Sequence, residues 1–185
     1  MSGRSGAGEL PTLRTERLTI RPLELADAAR VQELAGARAI ADTTANIPHP
    51  YPDGVAPEWI GGRAAAWDTG KEASWAIANS EGLIGGIGLR LHASDRRAEL
   101  GYWLGVPYWG MGYATEASRS VLAFAFDTLD LNRVHACHLA RNPASGRVLE
   151  KIGMRREGVF RQHETKWGVL EDLVMWGVLR GEEHR

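Results

Sequence analysis

Gly110 and Gly112 bracket Met111 in the stretch WGMGYATEA, just ahead of a helical pattern that has no Ser, Thr, Asp or Asn at its start. The first backbone N–H groups of a helix have no partner inside it, so a side chain, water or ligand must satisfy them. Glycines let a bulky anion approach the backbone, and a helix N-terminus adds aligned donors and the positive end of the dipole. This spacing therefore suits a phosphate, although glycine is itself a tolerable cap. Two nucleotide loops do not fit: the Gly-Lys-Ser/Thr of a Walker loop is absent, and Thr115 stands where a dinucleotide fingerprint needs its third glycine.

Two other features carry chemistry. Asn142-Pro143 is a favoured cap and first helical residue, with Gly153 as a left-handed stop. The single Cys137 excludes an internal disulfide and a cysteine-built metal site, which fits a reducing compartment, and no metal is expected.

The scaffold that positions these residues is bounded by size and composition. A chain of 185 residues and 20.3 kDa fits one domain. With 44% hydrophobic and 24% charged residues and a net charge of -1, it has no broad basic field for nucleic acid or an anionic membrane. No stretch approaches the roughly 20 apolar residues of a membrane span, and MSGRSGAGELPT lacks the apolar core of a signal peptide. A cytoplasmic protein is expected, with residues 1–12 a flexible tail, 13–181 one domain and 182–185 a C-terminal tail.

RTERLTIRPL alternates like a first strand, and residues 27–37 space Ala28, Val31 and Leu34 like an amphipathic helix. TTANIPHPYPDG, with Pro48, Pro50 and Pro52, must be irregular, and a helix follows over about 56–68. EASWAIAN, GLIGGIGLRLH and RAELGYWLGV are extended runs separated by short turns, an antiparallel meander whose glycines mark a twisted or bulged strand. Then come a helix over about 112–129, the strand NRVHACHLA, a helix over 143–152 and two strands within 156–162 and 172–179. The fold class is mixed α/β. Alternation places Glu99, Gly101 and Trp103 on one strand face and Leu100, Tyr102 and Leu104 on the other, and sets His138 opposite His135 and Cys137.

AELGYWLGVPYWGMGYATEA followed by LARNPASGRVLEKIGM resembles the GNAT superfamily of acyl-CoA N-acyltransferases, in its RimJ/RimL-like branch, and the likeness runs from TERLTIRPL to DLVMWGVLR. The resemblance implies a central, mostly antiparallel twisted sheet of about seven strands with flanking helices, and a splayed strand pair that holds the acyl-CoA arm. The family's pyrophosphate loop falls on Trp109, Gly110, Met111, Gly112, Tyr113 and Ala114; Trp109 departs from a pattern that is usually polar there. Leu104 and Val106 would offer backbone groups to the pantetheine arm, and an N–H near Trp103 and Leu104 would face the thioester oxygen. Asn142 would touch the arm and Ser145 would lie near the sulfur.

The implied reaction is direct acetyl transfer from acetyl-CoA to a primary amine, which needs a proton acceptor for the amine and a proton donor for the departing thiolate. Candidate acceptors are Glu99, His138, His163 and Glu164; the branch favours Glu164, with Glu99 acting through water as the alternative. Ser145 is the candidate donor. Cys137 has an ordinary role as a small buried hydrophobe. The irregular connection offers His49 and Tyr51 to the acceptor and the last hairpin offers Trp167. The first acceptor expected is a protein N-terminal α-amine, such as that of a ribosomal protein; polyamines, amino acids and aminoglycosides are the alternative, and a non-catalytic acyl-CoA-binding module is a third reading. The resemblance also allows a homodimer.

Overall fold

Thr15 makes the first turn of the chain. Its N–H donates to the Leu18 carbonyl at 3.0 Å and its hydroxyl accepts from the Leu18 N–H at 3.0 Å, which splits the expected first strand into β1 (Leu13–Arg14) and β2 (Thr19–Pro22). The computed structural model describes residues 8–182. The sheet continues with β3 (Glu72–Asn79), β4 (Gly82–His92), β5 (Arg97–Leu104), β6 (Arg133–Leu139), β7 (Arg155–Lys166) and β8 (Val169–Leu179). Its order is β1-β2-β3-β4-β5-β6-β8-β7, eight strands where about seven were expected. The added strand is the two-residue β1. β5 and β6 run parallel and the other neighbouring pairs antiparallel.

The helices are α1 (Ala28–Ala35), α2 (Arg38–Thr43), α3 (Val55–Gly61), α4 (Arg63–Asp68), α5 (Tyr113–Ala123) and α6 (Pro143–Lys151). The expected helix over 56–68 is two, because Gly61 and Gly62 part them. α5 runs on through a π turn at Phe124–Thr128, which accounts for the expected length to residue 129. No helix among the described residues is long and apolar enough to cross a membrane.

The alternation read from the strands is what separates core from site. Trp75, Ile77, Leu89, Leu100 and Val134 are buried, and Trp75 meets Phe124 edge-on at 5.4 Å, which locks the α5 segment to this face of the sheet. Burying such aliphatic side chains contributes about 1.5–3 kcal/mol each. On the opposite face, Ser74, Gly88 and Gly101 stand level with one another through the β3–β4 and β4–β5 registers. Large side chains are missing there, and the gap they leave becomes a cavity. The register also slips between Ile77 and Ala78, so the glycine-rich strand is bulged as expected, but its glycines also hollow the sheet.

The expected loose tail over 1–12 needs correction for its described part. The Trp67 indole N–H donates to the Gly8 carbonyl and that of Trp75 to the Pro11 carbonyl, both at 2.8 Å, and Leu10 packs on the core. Two buried indoles need acceptors, and this segment supplies them. Residues 1–7 and 183–185, the rest of the two expected tails, lie outside the described residues.

Candidate active site

β5 and β6 pair only at Arg97↔Arg133, Ala98↔Val134 and Glu99↔His135. Beyond Glu99, β5 stays with β4 as far as Leu104, while β6 stays with β8 as far as Leu139. The two strands therefore diverge, and the cleft between them forms part of a cavity of about 600 Å³. Leu100, Gly101, Tyr102 and Trp103 line one wall; Ala136, Cys137 and His138 line the other.

At the open end of β5 the chain turns through Val106–Tyr108 into the glycine loop. Gly110 and Gly112 have φ of 76° and 82°, the left-handed region that costs side-chain-bearing residues strain, and Gly112 caps α5 with no side-chain bond. The first α5 N–H to find a carbonyl is that of Glu116, on Gly112 at 3.0 Å. Among the described residues nothing accepts from the N–H groups of residues 110–114. A row of unspent donors at a helix N-terminus is what an anion requires. The Trp109 indole points elsewhere: it donates to the Leu104 carbonyl at 2.7 Å and ties the loop to the end of β5. Its departure from a polar residue thus leaves the backbone donors untouched. The Leu104 carbonyl is engaged by that indole and the Val106 carbonyl by the Trp109 N–H at 3.2 Å, so both already hold one bond within the chain.

Ser145, in the first turn of α6, lines the cavity, and its hydroxyl lies 2.8 Å from the Tyr102 hydroxyl across the cleft. Burial pushes the Tyr102 phenol up to about 12, so it is neutral at any ordinary pH. The sequence reading gave Tyr102 no role. Alternation sets it on the same face as buried Leu100 and Leu104, which reads as core, and no local pattern reports its bond to Ser145. Asn142 caps α6 through the Ser145 N–H at 3.3 Å, and its amide donates to the Thr43 carbonyl at 3.4 Å. Both ends of this side chain serve the fold, and Asn142 does not line the cavity.

On the other face, carboxylates gather. Arg63 pairs with Glu72 at 2.8 Å, Arg90 with Glu99 at 3.4 Å, and Glu164 from β7 lines the same space with no basic partner among the described residues. Cys137 lies between Glu99 and Glu164; burial and the two carboxylates push its thiol up to about 11. It is a poor nucleophile there. His138 lines the wall with Nδ1 on the Leu139 carbonyl at 2.8 Å, whereas His163 packs tilted against the Phe160 ring, with centroids 5.1 Å apart, and is not part of the cavity lining.

Of the three expected acceptor contacts, Tyr51 lines the cavity, with Ile47 and Trp59 beside it. His49 does not: it bonds the Gly36 carbonyl at 3.2 Å, at the end of α1. Trp167 is exposed under Arg38 and Lys166 at 5.1 and 5.4 Å and lies outside the cavity lining. A lysine missed in the sequence does reach this region, since Lys166 is buried and donates to the Ala45 and Ile47 carbonyls at 3.2 and 3.1 Å. Among the described residues no group of His, Cys, Asp and Glu is arranged to hold a metal ion.

A splayed strand pair and a glycine loop with open N–H groups ahead of a helix are the arrangement that the resemblance to GNAT N-acyltransferases implied. The chain belongs to that family: the family model for the acetyltransferase (GNAT) domain matches residues 17–155. The putative ribosomal N-acetyltransferase YdaF of Bacillus subtilis (strain 168) is 34% identical over 90% of this chain and 93% of its own length. Two solved structures share the fold: Mycobacterium smegmatis RimJ in complex with a CoA-disulfide (22% identity, TM-score 0.83, 95% of this chain and 88% of that one) and RimL, a ribosomal L7/L12 alpha-N-protein acetyltransferase in complex with coenzyme A (16%, TM-score 0.84, 91% and 98%). The protein is a GNAT-family acyltransferase.

Proposed function

We propose that this chain transfers acetyl from acetyl-CoA to the N-terminal α-amine of a protein. The unspent N–H groups of residues 110–114 carry the coenzyme half of the reading, because a pyrophosphate would satisfy them together. The cleft between β5 and β6 leaves room beside a strand edge for the pantetheine arm. When bound, acetyl-CoA supplies the acetyl group as an activated thioester.

The acceptor half rests on charge balance. Glu72 and Glu99 are each matched by an arginine, which leaves one uncompensated carboxylate, Glu164, to meet one ammonium. A single α-amine fits this balance better than a polyamine. The naming of YdaF as a putative ribosomal N-acetyltransferase agrees with that choice. A small monoamine is the second reading, favoured by the cavity's size of about 600 Å³.

In this reading Glu164 takes a proton from the bound ammonium, with Glu99 as the alternative through water, and the free amine attacks the acetyl carbon. Ser145, backed by Tyr102, donates a proton to the departing sulfur. Backbone donors near Trp103 and Leu104 meet the oxygen as charge forms on it. No protein nucleophile is needed.

A thiol-release assay across N-terminal peptides, monoamines and polyamines tests the acceptor. Turnover with peptides or monoamines and little with polyamines is expected; absence of turnover with every amine would leave only an acyl-CoA-binding module. Gly112→Asp places a carboxylate where the pyrophosphate belongs, and calorimetry should show its coenzyme affinity largely lost. Unchanged affinity in the folded variant would sink the loop assignment.

A further inference from the structure

Arg17 and Thr15 belong to the TERL stretch that carried part of the family resemblance without a function, and the fold brings both onto the first turn of α5. The Glu116 carboxylate receives the Thr15 hydroxyl at 2.6 Å, the Arg17 backbone N–H at 2.9 Å, Arg17 Nε at 2.7 Å and Arg17 Nη2 at 2.6 Å. Arg17 Nη1 also donates to the Met111 carbonyl at 3.0 Å, between the two left-handed glycines, and the guanidinium lies over the Tyr113 ring at 4.6 Å. A Cβ built on Gly112 would stand 3.3 Å from Arg17 Nη2. One side chain thus touches the loop, its cap residue and the first helical turn.

Two physical consequences follow. A bare carboxylate in the first turn of α5 would favour the empty helix and repel a pyrophosphate at the same terminus. Arg17 neutralises it, and Arg17 and Thr15 together fasten it to the hairpin. In a trans peptide, moreover, the C=O and the following N–H point in opposite directions. Drawing the Met111 carbonyl toward Arg17 therefore turns the Gly112 N–H away from Arg17 and leaves it as an open donor.

We infer that Arg17 is a positioning residue for coenzyme binding, acting through Glu116 and the Met111 carbonyl to keep the loop's N–H groups open to a pyrophosphate. The inference rests on the reading of residues 110–114 as the pyrophosphate site. Arg17 leaves the acceptor side alone, so its effect falls on one substrate.

The test is calorimetric titration of coenzyme A into wild type, Arg17→Ala, Glu116→Gln and the double variant, with steady-state kinetics beside it. Arg17→Ala should bind roughly 2- to 30-fold more weakly, the range expected for one charge at a helix N-terminus. It should raise KM for acetyl-CoA in step, while kcat and the acceptor KM stay within about twofold. The double variant should regain most of the affinity while its melting temperature stays low, a separation that a purely structural clamp would not produce. If Arg17→Ala does not fold, Arg17→Lys with and without Glu116→Gln makes the same comparison, since lysine keeps the charge but cannot hold both acceptors in one fork. Wild-type affinity in Arg17→Ala, or a double variant no better than Arg17→Ala, overturns the inference and leaves the loop assignment standing. Failure of wild type to bind coenzyme A overturns both.

Discussion

Glu164 and Cys137 differ in what their surroundings let them do. Glu164 faces the cavity without a cation, so the ammonium of an acceptor is its natural partner. Replacing it with Gln keeps the shape and removes the proposed base, and turnover should fall roughly 10²-fold. The loss should be largest near pH 6, where the amine is protonated, and shrink toward pH 10; a residue that only oriented the amine would raise KM at every pH. Cys137, its thiol pushed up to about 11 by burial and the neighbouring carboxylates, stays protonated at pH 7. Cys137→Ala should keep most activity, and mass spectrometry during turnover should find no acetyl group on Cys137. Neither Tyr102 nor Arg17 was legible as a site residue, because their partners lie 43 and about 100 positions away and no local pattern reports such a bond. The glycine loop was legible because its chemistry is written in consecutive residues.

At the scale of elements, the strands and the helix ahead of Leu129 could be read from period and punctuation, since burial imposes both. The proline-rich connection could be read only as irregular. What fixes it is Lys166, on the far hairpin, whose ammonium holds the Ala45 and Ile47 carbonyls. A buried lysine spent on carbonyls acts as a tether, and burial together with Arg141 lowers its pKa. Lys166→Met keeps much of the packing and releases the loop. Its acceptor KM should rise about tenfold, the value of one lost charged hydrogen bond at the low end of its range, while calorimetry should give an unchanged coenzyme affinity. Trp167, expected at the acceptor from its place in a turn, instead has Arg38 and Lys166 against its ring at 5.1 and 5.4 Å.

For the whole molecule, the start of the first helix is a stability element. The buried Asp27 carboxyl would be pushed up by burial, but Arg21 at 2.7 and 2.8 Å and the Glu24 N–H at 2.9 Å outweigh this and hold it below the usual range. Removing one partner of such a pair leaves the other uncompensated, so Asp27→Ala should lose about 3 kcal/mol in urea unfolding at pH 7. A lowered carboxylate pKa gives stability that is complete above the unfolded value of about 3.9 and is lost as pH falls through the folded one. The gap between wild type and variant should therefore narrow below about pH 4.

The parting of β5 and β6 has a consequence for traffic. Glu99 and Cys137 belong to one face of the sheet, Tyr102 and His138 to the other, yet all four border one cavity, so the sheet is perforated where its strands separate. In the proposed reading the long donor would come from the side of the glycine loop, and the acceptor from beneath the proline connection, whose Ile47 and Tyr51 line the cavity. Neither visitor has to back out past its partner, and a chain end too bulky to enter the molecule needs to insert only its tip. In that reading the two protons move at opposite faces of the sheet, one leaving toward Glu164 on the side of Glu99 and Cys137, the other arriving from Ser145 beside Tyr102.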